Sequence, residues 1–471
     1  MRIGLVLAPL LLAVAACGDS GPAQGASSTT PAARHPKVAI FGVDGATYRV
    51  MDPLLAQGKL PALDSLMKRG AHMVLHSDIG EGASPVLWAS IATGARKAEH
   101  GIVGFTRKID GRNVILCSDD RKLPALWNMV DARGGSVGIV GYWNSWPAEK
   151  VNGWIVSDLF ATSLFKRNYT SVELKAIAYP PELVDELRPF VAAPADIRRE
   201  DLDVLGQFTD AEWAVLSADD SQAEFVGQNG LVALKYGLQA QKSFAQAALH
   251  LLETRGQPDL FFVFLELPDR VGHNFWQAYE PGKVKGGAQA VDAGWRERWG
   301  GIVPGAYEIV DDWIGQVLAR LDPDTTVFVV SDHGFRSTGG NGGSAEDLAH
   351  VGGSGTHDEA GVLIAAGPAI APGATCEARL YDVAPTVLAA MGLPATTQGI
   401  GRVLRPLLAP EFLAQHPLLP AIAEPPRQLT GHESPGAGPD AERLKQMQAI
   451  GYLPGATQEV PGGDGDADGN H

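Results

Sequence analysis

Residues 327–335 read Val-Phe-Val-Val-Ser-Asp-His-Gly-Phe. Four β-forming residues in series, with no polar alternation, suit a strand buried on both faces of a parallel sheet. The run stops at Ser331, and Asp332 and His333 follow. A carboxylate and an imidazole thus sit side by side at the carboxyl end of a strand, where open α/β sheets place their sites. Both can reach one divalent cation, and hard oxygen with borderline nitrogen suits Zn²⁺. Alone, Asp-His-Gly reads equally well as a polar turn. Further ligands at other strand ends decide between the two.

The pattern recurs. Lys37 to Gly45 is a buried-type strand ending in Asp44 beside a glycine. Leu260 to Asp269 is another, and His273 lies four residues after Asp269, one turn along if the segment is helical. A glycine-rich loop runs from Phe335 to Gly355 and carries His357 just beyond it, ahead of the apolar run Gly361–Ala366. In Gly82–Gly94, Pro85 suits a first helical position, which makes Ser84 the N-cap. Free amides and the positive end of the helix dipole would then face an anion.

Helices are expected over Pro61–Gly70, 304–320 and Asp382–Met391. Residues 136–158 read as two strands around an aromatic loop, whose Tyr142, Trp143 and Trp146 are expected in the core. Strands alternating with helices give an α/β fold with a mostly parallel central sheet. Residues 162–255 interrupt the alternation with charges and prolines, then a long helix over Ala223–Glu253. They are expected to be an insertion that caps the site.

The chain has 471 residues, 45% of them hydrophobic and 20% charged, a globular composition. Its net charge of −16 disfavours binding to nucleic acid polymers. Residues 1–17 hold Arg2, a short apolar run and Val14-Ala15-Ala16-Cys17. This resembles a bacterial lipoprotein signal peptide, in which Cys17 becomes the lipidated N-terminus. It predicts a lipid-anchored protein of the bacterial cell envelope, on the periplasmic or extracellular face, with the anchor as its membrane contact. Residues 18–35 read as a flexible linker. Cys117 and Cys376 complete the three cysteines, without a Cys-x-x-Cys zinc motif. Whether they pair is open at this level, as is the oligomeric state. Residues 405–471 read as a peripheral segment with a disordered acidic tail. The acidic run 464–469 imitates the start of a calcium loop, but lacks the closing bidentate acid.

Asp44, Asp269, His273, Asp332, His333 and His357 are three carboxylates and three imidazoles near predicted strand ends. That inventory fits two zinc ions about 4 Å apart, with Ser84 as attacking oxygen. The segments FGVDG, SPVLWASIATG with EHGI, WNSWPAE, PDRVGH, SDHGF, GTHDEAG and YDVAPTVLAAMGLP carry a resemblance. The chain resembles the alkaline phosphatase superfamily, in its type I phosphodiesterase/nucleotide pyrophosphatase branch. The likeness covers residues 37–404, and LKQMQAIGY at 444–452 fits endings of related members.

The resemblance implies a three-layer αβα sandwich over residues 36–404. It implies that Asp269, His273 and His357 bind one zinc. Asp44, Asp332 and His333 would bind the second, which also holds the Ser84 oxygen, at a position where the branch often has Thr. It further implies a phosphate diester or nucleotide-type substrate, attacked by Ser84 and released through a phosphoserine-type intermediate. Sulfatases of the superfamily carry a Cys or Ser followed by x-Pro-x-Arg, absent from Ser84–Trp88. The alternatives are a phosphomonoesterase, a transferase of phosphorylated headgroups, or an inactive lipid-anchored binding module.

Overall fold

A computed structural model of the chain describes residues 35–109, 112–163, 176–218, 230–280, 293–337 and 355–430. Cys17, the linker 18–34, the glycine-rich stretch 338–354 and the segments 444–452 and 464–469 lie outside the described residues. The apolar run after Lys37 becomes β1 (Val38–Val43), with all six residues buried. Its side chains alternate between two cores. Ala39, Phe41 and Val43 face one, while Val38 and Ile40 face the other. A strand buried on both faces needs no polar alternation, which is what the sequence displays.

The remaining strands are β2 (Ala71–His76), β3 (Thr106–Ile109), β4 (Arg112–Ile115), β5 (Val137–Val140), β6 (Gly153–Val156) and β7 (Ala178–Tyr179). They are followed by β8 (Leu260–Leu265), β9 (Thr326–Val330), β10 (Gly334–Ser337), β11 (Gly355–Asp358), β12 (Ala360–Ala366) and β13 (Ala378–Arg379). Among the described residues, nine form one sheet in the order β13-β2-β12-β9-β1-β8-β5-β6-β7. β12 and β7 run antiparallel to their neighbours, and the other pairings are parallel. β3 with β4, and β10 with β11, are separate two-stranded ribbons.

Helices cover both faces of the sheet. Tyr48–Ala56, Pro61–Arg69, Gly230–Arg255, Leu267–Tyr279 and Ile302–Leu318 contribute to the core on one side. Ser84–Thr93, Leu126–Ala132 and Val383–Ala390 contribute to the other. This is the αβα sandwich of an alkaline-phosphatase-like fold. Register positions the site: Gly42 of β1 pairs with Phe264 of β8 and Val330 of β9. The three strands therefore end level, and the residues after them emerge at one edge.

Two segments carry contacts that their sequence patterns do not display. In the described part of residues 162–255, one strand and one long helix join the layers. β7 pairs with β6. The Gly230–Arg255 helix buries Leu234, Phe244, Ala248 and Leu251 in the core that holds Phe41 and Val263. Its apolar residues are numerous enough to demand a sheet face rather than solvent. Residues 405–430 are mostly exposed and are tied to the core at a few points. Leu407 is buried, Arg133 pairs with Glu424 at 2.6 Å, and Arg427 Nε donates to Glu149 Oε1 at 2.9 Å. Cys117 and Cys376 are both free thiols. No helix among the described residues is long and apolar enough to cross a membrane.

Candidate active site and metal centre

The six candidate ligands converge in two groups of three. Asp269, His273 and His357 form one, and Asp44, Asp332 and His333 the other. Within each group the ligand atoms all lie within 4.8 Å of one another. Pro268 lies in the first turn of the Leu267–Tyr279 helix, on which Asp269 and His273, four apart, share one face. His273 Nε2 is 3.3 Å from Asp269 Oδ1. His357 is not on an irregular loop: it lies on β11 and pairs in register with Phe335 of β10. Its Nε2 stands 3.1 Å from His273 Nε2 and 3.6 Å from Asp269 Oδ1.

The second group gathers around His333. Its Nε2 lies 3.4 Å from Asp44 Oδ1 and 3.5 Å from Asp332 Oδ2. His333 Nδ1 is 3.0 Å from the Gly334 carbonyl. An Nδ1–H donated there leaves the Nε2 lone pair free to face the group. Burial, with His357 next to it, holds His333 well below the usual imidazole range. Its imidazole is neutral at pH 7.

Phe335 lies beneath both groups. Its ring centroid is 5.1 Å from that of His273, 5.6 Å from His333 and 5.5 Å from His357. A Cβ at Gly272 would come within 2.9 Å of this ring, so the helix can approach it there because that residue is glycine.

The carboxylates are the strongest sign that a cation belongs here. All four oxygens of Asp269 and Asp332 are buried, and none has a hydrogen bond of ordinary geometry. Burial, then the charge of Asp332 and of Asp269, pushes Asp44 well above the ordinary carboxylate range. Burial and the charge of Asp269 do the same to Asp332. Burial also pushes Asp269 up, but His273, His357 and His333 outweigh it and hold it low. Three carboxylates buried this close together are costly unless paired or metal-bound. Two sets of hard oxygens and imidazole nitrogens fit two divalent cations.

Ser84 is buried, and its Oγ is 3.3 Å from His333 Nε2 and 3.5 Å from Asp44 Oδ1. Sequence reading places it one residue off. The helix begins at Ser84 itself, and Ala83 is the N-cap. Freed from capping, the hydroxyl turns to the second group. The expected cradle of free amides is largely closed. Pro85 has no N–H, while Val86 N and Leu87 N donate to the Ala83 carbonyl at 2.8 and 3.3 Å. The helix dipole remains.

Two residues escaped the sequence reading. Trp88 Nε1 donates to Asp44 Oδ2 at 3.1 Å, and Trp143 Nε1 donates to the same oxygen at 3.3 Å. Both indoles are buried, as are Tyr142 and Trp146. The aromatic cluster is thus core, with two of its polar edges turned to the site.

The family model of type I phosphodiesterases/nucleotide pyrophosphatases matches residues 38–381. The chain belongs to that family. It is a hydrolase of phosphoric ester bonds, and its family is metal-dependent. Among solved structures, a mutant of the alkaline phosphatase PafA is similar with a TM-score of 0.50 and 14% identity, over 80% of this chain and 99% of that one. Murine ectonucleotide pyrophosphatase/phosphodiesterase 5 is similar with a TM-score of 0.44 and 12% identity, over 79% of this chain and 100% of that one. Phosphonoacetate hydrolase from Sinorhizobium meliloti 1021, in complex with phosphonoformate, gives 0.34 and 19%, over 64% of this chain and 57% of that one. At such identities the PafA likeness speaks to the fold. By sequence, no curated protein matches the chain.

Proposed function

We propose that this hydrolase is a zinc-dependent phosphodiesterase/nucleotide pyrophosphatase that works through a phosphoserine intermediate at Ser84. One observation carries the reading: the Ser84 hydroxyl stands between Asp44 and His333, beside two groups of ligands with three buried carboxylates. Asp269, His273 and His357 would hold one Zn²⁺, and Asp44, Asp332 and His333 the other. Bound there, the ions would supply Lewis-acid polarisation of the phosphate and acidify the attacking hydroxyl and water.

The chain's own residues do the rest. The contacts to Asp44 and His333 aim Ser84 Oγ, and the first helical turn fixes its backbone. Oγ attacks phosphorus in line, and the leaving alcohol or phosphate departs on the opposite side. Water then cleaves the Ser84–phosphate bond. Burial of Ser84 and the second group keeps bulk water from the first step. The helix dipole adds a fixed positive end near the developing charge. The substrate class in this reading is a phosphate diester or nucleotide-type ester.

The test is to quench the reaction in acid during turnover of a phosphorus-labelled diester. Label on Ser84, lost in Ser84→Ala, supports the reading. Full turnover by Ser84→Ala would sink it.

The reading also takes Cys17 as a lipidated N-terminus that holds the enzyme at the bacterial envelope, on its periplasmic or extracellular face. The motif Val14-Ala15-Ala16-Cys17 motivates it. Labelled fatty acid should enter the protein and be lost in Cys17→Ser; an unlabelled wild type would refute the anchor.

A further inference from the structure

We propose that Trp88 and Trp143 are positioning residues for metal binding by the Asp44 group. The inference rests on the metal reading above. Both indole N–H groups converge on Oδ2 of one carboxylate, at 3.1 and 3.3 Å. Indole nitrogen donates and never accepts, so each ring can act on Asp44 in one sense alone. Two donors occupy Oδ2 and leave Oδ1 to face His333 at 3.4 Å and Ser84 at 3.5 Å. Asp44 is thereby a single-oxygen ligand with its direction set in advance. Asp269 is set differently, with His273 Nε2 at 3.3 Å and His357 Nε2 at 3.6 Å from its Oδ1.

The rings are themselves held. Trp88 is fully buried and meets Phe264 edge-on at 5.2 Å, Tyr142 at 5.7 Å and Phe262 at 6.2 Å. The Tyr142 hydroxyl donates to the Trp88 carbonyl at 2.7 Å. Gly42 of β1 makes the approach possible, because a Cβ there would come 2.8 Å from the Trp88 ring. Trp143 packs edge-on to Phe105 at 5.7 Å and to Phe264 at 6.3 Å. Hydrogen bonds from behind a metal ligand fix its orientation, and their loss typically costs about 10–100-fold in metal affinity.

The experiment is calorimetric titration of zinc chloride into the metal-depleted full chain. Trp88→Phe and Trp143→Phe keep a ring and remove the N–H. Each is expected to weaken one of the two zinc equivalents by about tenfold or more and leave the other at wild-type affinity. Trp127→Phe is the control. Trp127 Nε1 donates to buried Glu149 Oε2 at 2.8 Å in the same core, so it tests the loss of a structural indole bond. It should change stability and leave both zinc affinities alone. Should Trp88→Phe fail to fold by circular dichroism, Trp143→Phe decides. Wild-type affinity at both sites in the folded variants overturns the inference, as does equal weakening in Trp127→Phe. A wild-type chain that takes up no zinc overturns the metal reading instead, a distinct outcome.

Discussion

Ser84 and His333 are 249 residues apart in sequence and 3.3 Å apart in space, Oγ to Nε2. The hydroxyl opens a helix on one face of the sheet, and the imidazole follows a central strand. Their meeting ties the two halves of the chemistry together.

If both ligand groups hold zinc, each should lose its own ion. Asp332→Asn should remove about one metal equivalent and His357→Ala the other, each with most of the activity, because an open catalytic zinc keeps three protein ligands. Elemental analysis of the purified variants reads this out. Two full equivalents in both variants would disprove the assignment.

His100 should make the fold acid-sensitive. It is buried, its Nδ1 accepts from Ile102 N at 3.1 Å, and its Nε2 is 3.1 Å from Ser90 Oγ. Burial, with Arg121 adding to it, pushes its pKa down to about 3. The unfolded chain takes up a proton near pH 6.5 that the folded chain refuses. The stability from neutral His100 is therefore complete above about pH 6.5 and falls away as pH drops toward about 3. Between pH 7 and pH 5 the wild type should lose about 2 kcal/mol more than His100→Gln in urea unfolding. Parallel losses in the two proteins would contradict this.

The strap at 405–430 should be worth measurable stability. Burial pushes Glu149 up, but Arg121 and Arg427 outweigh it and hold its pKa at about 2. Arg427 also donates to the Arg121 carbonyl at 2.6 Å. Arg427→Ala removes one of two buried cations from Glu149 and should cost about 3 kcal/mol. Arg405→Ala, at an exposed position of the same segment, should cost about 0.5 kcal/mol or less. Similar urea midpoints for the two variants would remove the strap's significance.

The candidate ligands are legible in the sequence because most of them follow apolar runs that have one structural solution. Asp44, Asp269, Asp332 and His333 sit just past β1, β8 and β9, so knowing the strands located the residues. His357 was legible as a residue but not as part of a ribbon, since its pairing with Phe335 is a tertiary event. Ser84 was placed one position off because Pro85 is acceptable at either of the first two helical positions. Trp143 is expected in the core, and it lies there with Trp88. The direction of an indole N–H depends on packing against Phe264 and Gly42, which no local pattern encodes. Arg427 reaches Glu149 across 278 residues, and its segment looked peripheral because its anchoring contacts are few and distant in sequence.

The most direct test of the phosphodiesterase reading is a side-by-side measurement of kcat/KM on bis-p-nitrophenyl phosphate and p-nitrophenyl phosphate with the zinc-loaded enzyme. A monoester's extra charge calls for an added cation near the nucleophile. Lys97, just beyond the Ser84–Thr93 helix, is already engaged: its Nζ donates to the Glu81 carbonyl at 2.6 Å. The diester should be favoured by at least about tenfold, roughly 1.4 kcal/mol of transition-state preference. A faster monoester would contradict the reading and make the enzyme a phosphomonoesterase.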